Sequence, residues 1–422
     1  MAVMSTMLPY ELIGMILDYF EADKAELAKC TLVARSWVQP GRYHLFRTLT
    51  VVQTQEHDGL AAFHRFLESA RGQPYAPYVQ GLCLRGVRLD DDEFWEPTLD
   101  LHALGAVVHL LSRLQVVNLD RVRLAGLATD GPAPQTCESV VRLNIARICT
   151  WTFHDLKDCV DVVHLFPGLK HFYTDNLRRY VRDTGRVCEY PPPADHRPFS
   201  SKLQLAEVTH RTFGPCSSLL DYFAHALNLS NLTSVVLWHL LPDEIASVGR
   251  FLAAVGRSLR RLDISLADCF IPEEYEVDPQ PLWKSLQLSK CEVLETFLLY
   301  IALDYDPELP RPPIEYHPHW FSVELILAEL PPSVQEVHLA LQDDNEPEWL
   351  EEVLHDVRWR HVAKSVKRLP SLRKLFVYSE GRQVGWYRVP VEAWTQELLC
   401  AKLPDAKARG VLDFSAPPTR TL

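Results

Sequence analysis

Seventeen histidines and ten cysteines supply ample raw material for catalysis or metal binding, so the question is whether spacing ties any of them together. No G-x-S-x-G turn presents a serine nucleophile, no H-E-x-x-H helix presents a zinc pair, and no GxGxxG or GxxxxGK loop presents a phosphate cradle. The cysteines, at 30, 83, 137, 149, 159, 188, 216, 269, 291 and 400, form no CxxC pair. His317-Pro318-His319, with Glu315 nearby, comes nearest to a metal pair, but further ligands at a recognisable spacing are missing and a solvated proline loop is the plainer reading. Two basic clusters with aromatics, Arg178-Arg179-Tyr180-Val181-Arg182 and Arg358-Trp359-Arg360, could meet an acidic peptide or a phosphate; against the acidic balance of the chain, ordinary solvated surface accounts for them. Asp90-Asp91-Asp92-Glu93 lacks calcium-loop spacing and reads as turn and helix-start chemistry. No catalytic residue, metal or cofactor is expected. The residues that remain of interest belong to surfaces, and the elements that build those surfaces come next.

The chain has 422 residues, 47% apolar and 23% charged, and a net charge of −12. Such a chain folds, and its acidic balance disfavours DNA or RNA as a partner. The apolar start lacks a basic n-region and is interrupted by Glu11 and Asp18. No uncharged run is long enough to span a bilayer. The expected setting is the cytoplasm or nucleus, without a membrane partner and with reduced, mostly buried thiols.

The first fifty residues read as three short helices. Pro9 suits a first helical turn and Glu11 the positive end of the dipole. Leu8, Leu12, Ile13, Ile16, Leu17 and Phe20 recur at helical spacing. Asp23 and Glu26 have capping-box spacing, with Leu27 and Cys30 behind them. A third segment carries Val33, Trp37, Tyr43, Leu45, Phe46 and Leu49, with Pro40-Gly41 expected to break or bend it. So small a unit cannot bury all these side chains by itself. The stretches LPYELIGMILDYF, DKAELAKCTLVARSW and RYHLFRTLTV, in that order, resemble the F-box, in particular the F-boxes of large fungal protein families; we assign it residues 5–51. The resemblance implies binding to a Skp-family adaptor and through it to a cullin. It places the adaptor contacts at Leu8, Pro9, Leu12, Ile13, Ile16, Leu32, Val33, Trp37, Leu45 and Phe46, an apolar helix face laid into a groove. A private three-helix core packed on the following domain is the alternative.

From residue 52 onward a six-residue pattern, apolar-x-x-apolar-x-apolar, returns many times: Val79-Leu82-Leu84, Leu114-Val117-Leu119, Val140-Leu143-Ile145, Leu232-Val235-Leu237, Leu259-Leu262-Ile264, Leu294-Phe297-Leu299, Val334-Val337-Leu339 and Leu372-Leu375-Val377. Leu169-Phe172-Thr174 and Leu203-Ala206-Val208 are weaker copies. Each reads as a short strand, and segments of helical periodicity lie between them. Strand and helix alternating at this period predict an α/β fold. We read residues 52–415 as an irregular leucine-rich-repeat solenoid, parallel strands on the concave side and helices on the convex side. The Asn or Cys that normally closes each turn is replaced by Val87, Val122, Ile148 and Leu240, so irregular repeats are expected. A doubly wound sheet is the competitor. Proline-rich inserts lie at 130–139, 186–201 and 304–320, with a short acidic one at 343–349, and 416–422 reads as a frayed tail.

In such an array the residues that alternate with the core positions line one face. They include Arg142, Asn144, His171, Asp175, Val236, Arg261, Asp263, Leu298 and Phe376, and five that suit an interface with a target protein: Tyr173, Trp238, Tyr300, His338 and Tyr378. That some lie as core beneath the proline loops stays open. With the F-box resemblance, the expectation is a substrate-recognition subunit of an SCF-type ubiquitin ligase. The alternative is a scaffold or inhibitor that binds protein partners without ubiquitin transfer.

Overall fold

The computed structural model describes residues 8–21, 23–54, 56–87, 97–125, 134–147, 149–150, 158, 161–175, 178–179, 203–211, 219–221, 223–224, 229–238, 240–266, 280–302, 318–342, 354, 359–381, 387–391 and 393–415. The Asp90–Glu93 run, His317, the inserts at 186–201 and 343–349, most of that at 304–320 and the tail 416–422 lie outside these residues. So do residues 5–7, and 180–182 and 358 of the two basic clusters. The chain divides into two compact units, one centred on residues 1–170 and the other on 171–179 and 204–422.

The first unit opens with three helices, α1 (Tyr10–Asp18), α2 (Lys24–Cys30) and α3 (Arg35–Phe46), with α3 packed on both others. Asp23 caps α2 by accepting from the amides of Ala25 and Glu26, each at 3.0 Å. α3 runs unbroken through Pro40, so the break that was one of the two expected outcomes does not occur. Proline removes only the hydrogen bond to Ser36, which lies in the first turn, and Gly41 has a packing role: a Cβ there would come within 2.4 Å of Thr31 Cγ2 at the end of α2. Only Arg47 separates α3 from the first strand. Strands β1 (Thr48–Gln53), β2 (Gly81–Gly86), β4 (Val116–Asp120) and β6 (Arg142–Ala146) form a parallel sheet in chain order. Between them lie α4 (Gly59–Glu68) and α5 (Leu101–His109), which pack on each other, and a small parallel pair, β3 (Thr98–Asp100) with β5 (Arg123–Ala125). The short strand β7 is Cys149–Thr150.

In the second unit β8 (His171–Asp175), β10 (Glu207–Arg211), β11 (Ser234–Trp238), β12 (Arg261–Ser265), β13 (Thr296–Ala302), β14 (Glu336–Gln342) and β15 (Lys374–Gly381) again lie parallel and in chain order. β9 is the pair Arg178–Arg179. β16 (Tyr387–Pro390) closes the sheet antiparallel to β15, and β17 (Leu412–Asp413) joins β15 in parallel. Helices Ile245–Val255, Pro318–Ala328 and Trp359–Lys367 fall between successive strands. The protein is thus α/β, and among the described strands neither unit shows the reversal of strand order that marks a doubly wound sheet.

Register refines the repeat. Val208 pairs with Phe172 and His210 with Thr174, so the weak copy is Leu205-Val208-His210, two residues later than alternation alone suggested. Leu49 pairs with Leu82 and Val51 with Leu84. An additional copy, Phe46-Leu49-Val51, therefore begins inside the stretch assigned to the N-terminal module. Before the strand, a tight turn returns the first apolar residue's amide to the carbonyl three residues back, as in Leu114 to Leu111, Leu169 to Phe166, Leu232 to Leu229 and Leu294 to Cys291, each at 3.0 Å.

At the starts of β2, β4, β6, β11, β12, β13 and β14 two successive amides donate to one carbonyl of the preceding repeat. Gln80 and Gly81 donate to Arg47, Gln115 and Val116 to Gln80, and Val141 and Arg142 to Gln115. In the second unit Thr233 and Ser234 donate to Ala206, Arg260 and Arg261 to Thr233, Glu295 and Thr296 to Arg260, and Gln335 and Glu336 to Glu295. These bonds measure 2.8–3.1 Å and satisfy groups that would otherwise be buried without partners. Val122 and Leu240, which stand where Asn or Cys was expected, are buried.

Candidate functional site

Helix α1 carries two apolar stripes. Ile13 and Leu17 lie one turn apart and join Leu27 of α2 in a small closed core, against which Cys30, Trp37 and Leu45 pack. The other stripe, Leu8, Leu12, Met15 and Tyr19, follows i, i+4, i+7, i+11 spacing and faces outward. Tyr19 is 89% exposed, and in the turn between α2 and α3 Leu32 is 84% and Val33 67% exposed. Tyr10 and Phe20 are exposed too. Eight of the twelve exposed large apolar side chains among the described residues fall between positions 8 and 33, which makes this an uncovered patch and not scattered surface.

The ten residues expected to meet an adaptor therefore separate. Leu8, Pro9, Leu12, Leu32 and Val33 are exposed, and Ile16 is half-buried. Ile13 is core, and Trp37 and Leu45 are largely committed to that core. Phe46 packs against Tyr75 with the rings tilted and their centroids 4.4 Å apart, and occupies the first apolar position of a repeat. Tyr10, Met15, Tyr19 and Phe20 were not anticipated as part of the surface, although three of the four are aromatic and Met15 lies at i+3 from Leu12.

Polar contacts tie these helices together. Lys24 Nζ donates to the His44 carbonyl at 2.8 Å, and Arg47 pairs with Glu21 at 3.3 Å. His44 Nδ1 lies 3.5 Å from Asp18 and makes no hydrogen bond. Burial holds the His44 pKa below its usual value against the opposing pull of Asp18 and Glu21.

The second unit presents a different surface. On the side of its sheet that alternates with Phe172, Val235, Leu262, Phe297, Val337 and Leu375, register aligns Tyr173, Val236, Asp263, Leu298, His338 and Phe376 in one row. Tyr300, Ala340 and Tyr378 align in the next. Val236, Trp238, Leu298, Tyr300, Ala340, Phe376 and Tyr378 form one buried cluster. His338 stacks on Phe376 at 4.4 Å and meets Tyr378 edge-on at 6.3 Å. The Arg211 guanidinium lies 4.0 Å over the Trp238 ring and 5.9 Å over Tyr173. Of the five residues expected to face a target, Trp238, Tyr300, His338 and Tyr378 are buried and Tyr173 is half-buried, its hydroxyl pKa raised by that burial. Alternation brings them to one side of the sheet, where four of the five are buried in this conformation.

Among the described residues no group of three or more His, Cys, Asp or Glu side chains could hold a metal, and no helix is long and apolar enough to cross a membrane. Cys30, Cys83, Cys137, Cys291 and Cys400 are free, and burial pushes the Cys291 thiol up to about 12. No family model matches the chain and no curated protein is detectably similar to it.

Proposed function

We propose that this protein is a substrate-recognition subunit of an SCF-type ubiquitin ligase, its N-terminal helices acting as an F-box that binds a Skp-family adaptor. The observation that carries the reading is the apolar face of α1 and of the α2–α3 turn, left in water by a module whose own core is already closed around Ile13, Leu17 and Leu27. Burying Leu12, Met15, Tyr19, Leu32 and Val33 against a partner would contribute roughly 1.5–3 kcal/mol per fully covered side chain. In this reading the remainder of the chain is an irregular leucine-rich-repeat solenoid that holds a target near the conjugating enzyme, so that catalysis is by proximity alone.

Support for the solenoid comes from the chain-ordered strands and from the main-chain bonds that recur at seven of the strand starts named above. Affinity purification of the full chain from cells tests the reading. Recovery of both adaptor and cullin is expected. Adaptor without cullin would favour a scaffold or inhibitor, and recovery of neither would remove the F-box assignment.

A further inference from the structure

The first unit's sheet shows on one face what the second unit fills with aromatic rings. Opposite its buried Leu82, Leu84, Val117, Leu119, Leu143 and Ile145, register aligns Thr50, Cys83, Asn118 and Asn144 in one row and Val52, Arg85, Asp120 and Ala146 in the next. On this face Thr50, Val52 and Arg85 are exposed, and Cys83, Asn118, Asn144 and Ala146 are half-buried. Asp120 is the exception, more than nine-tenths buried beneath two arginines. Arg147 grips it with both ends of its fork, Nε at 2.7 Å and Nη2 at 2.5 Å, and Arg85 Nε reaches the same carboxylate at 3.2 Å.

Two guanidiniums on one carboxylate leave an excess positive charge at a fixed place, on a chain whose net charge is −12. Their side chains remain 51% and 44% exposed, with donors not used by Asp120. Arg147 reaches this position from a left-handed backbone (φ 55°), which glycine adopts freely and other residues at a cost. The pair is thus braced before any ligand arrives, so little ordering remains to oppose binding. One row away Asn144 Nδ2 donates to Asn118 Oδ1, an arrangement that leaves an amide donor on Asn118 and an amide oxygen on Asn144 directed to neither. At the strand start Arg142, half-buried, shares the face; it stands four residues before Ala146, or roughly 13 Å at strand rise.

We propose that this face docks an extended acidic peptide segment of a partner protein. Arg85 and Arg147, braced on Asp120, receive one carboxylate; Arg142 receives a second about four residues away; Asn118 and Asn144 take peptide groups between. A carboxylate suits the place, since Asp120 already shows the fork-to-carboxylate geometry there and a second single negative charge neutralises the pair. The site lies on strands, apart from the helices of the adaptor reading, and stands or falls independently of it.

The test uses the full chain and fluorescein-labelled decapeptides carrying two glutamates four residues apart, or two glutamines in their place, read by anisotropy at low ionic strength. The glutamate peptide is expected to bind at least tenfold more tightly than its glutamine counterpart. Arg85→Gln and Arg142→Gln should each weaken it about tenfold without lowering the melting temperature. Arg257→Gln, an exposed arginine elsewhere, should leave it unchanged. No binding of the glutamate peptide, equal binding of the two peptides, or full binding by both Arg85→Gln and Arg142→Gln overturns the proposal. So does tighter binding of inorganic phosphate or of a short single-stranded oligonucleotide, which would assign the arginines to another anion.

Discussion

Trp238 and Tyr300 meet with ring centroids 4.8 Å apart although a whole strand lies between theirs. That strand is β12, and the residue level with both is Ser265, fully buried. Adjacent strands stand about 4.8 Å apart, so rings on β11 and β13 touch only because the side chain beneath them is small. Ser265→Leu is expected to destabilise the second unit by about 1–3 kcal/mol through overpacking. Trp238→Ala should cost about 3–5 kcal/mol by leaving a cavity. Both are read as melting midpoints in urea. A Trp238→Ala protein as stable as the parent would mean that the ring lies open in solution and would return it to the candidate target face.

The two stripes of α1 give opposite outcomes for neighbouring residues. Leu12→Asp and Leu32→Asp should each abolish capture of the adaptor while shifting the melting temperature by no more than about 2 °C, since neither side chain is core. Ile13→Asp should unfold the three helices, because a charge buried beside Leu17 and Leu27 costs about 3 kcal/mol or more. Circular dichroism paired with pull-down separates the two. Normal adaptor binding by Leu12→Asp would show that the partner uses another face.

Removing the N-terminal helices is expected to harm the sheet. β1 pairs with β2 from Thr48 to Gln53, and Phe46 packs against Tyr75. A fragment starting at Val52 loses most of that strand and bares the edge of β2, a template for aggregation. A fragment starting at Arg35 keeps both features. The second should remain soluble at concentrations where the first precipitates, as sedimentation would show; equal solubility and equal melting temperature would mean that β1 contributes nothing.

Acid should loosen the helical module. The folded pKa of His44 is depressed, so the folded state binds this proton less readily than the unfolded chain. Its contribution to stability is complete above the unfolded value of about 6.5 and is lost as pH falls through that value toward the folded one. Fluorescence of Trp37, which packs against the same core, should report a lower melting temperature at pH 5 than at pH 7.5. His44→Gln should flatten that difference; an unaltered pH profile in the variant would assign it to other groups.

The strands were legible in the amino-acid sequence because three apolar residues at fixed spacing can bury only one face. What stayed hidden follows from the same periodicities. A shift of two residues keeps every side chain on its face, so Leu203-Ala206-Val208 and Leu205-Val208-His210 were equally good readings until pairing with Phe172 chose the second. Helical spacing likewise delivers two stripes on α1 without saying which one its own module consumes, which is why Ile13 was grouped with Leu12. Alternation puts Trp238 on a face but is silent on whether that face is covered. Arg85 and Asp120 could have been found by the rule that named Arg142 and Asn144, since each follows a core leucine; only the return of Arg147 from beyond its strand required coordinates.

The shared carbonyls at the strand starts leave the side chains there without a bonding duty. Thr233, Arg260, Glu295 and Gln335 occupy equivalent places and have no side-chain chemistry in common, because the peptide group is what accepts. Any residue but proline can supply the donor amides, so these bonds tie one strand to the next without prescribing the amino acids that make them.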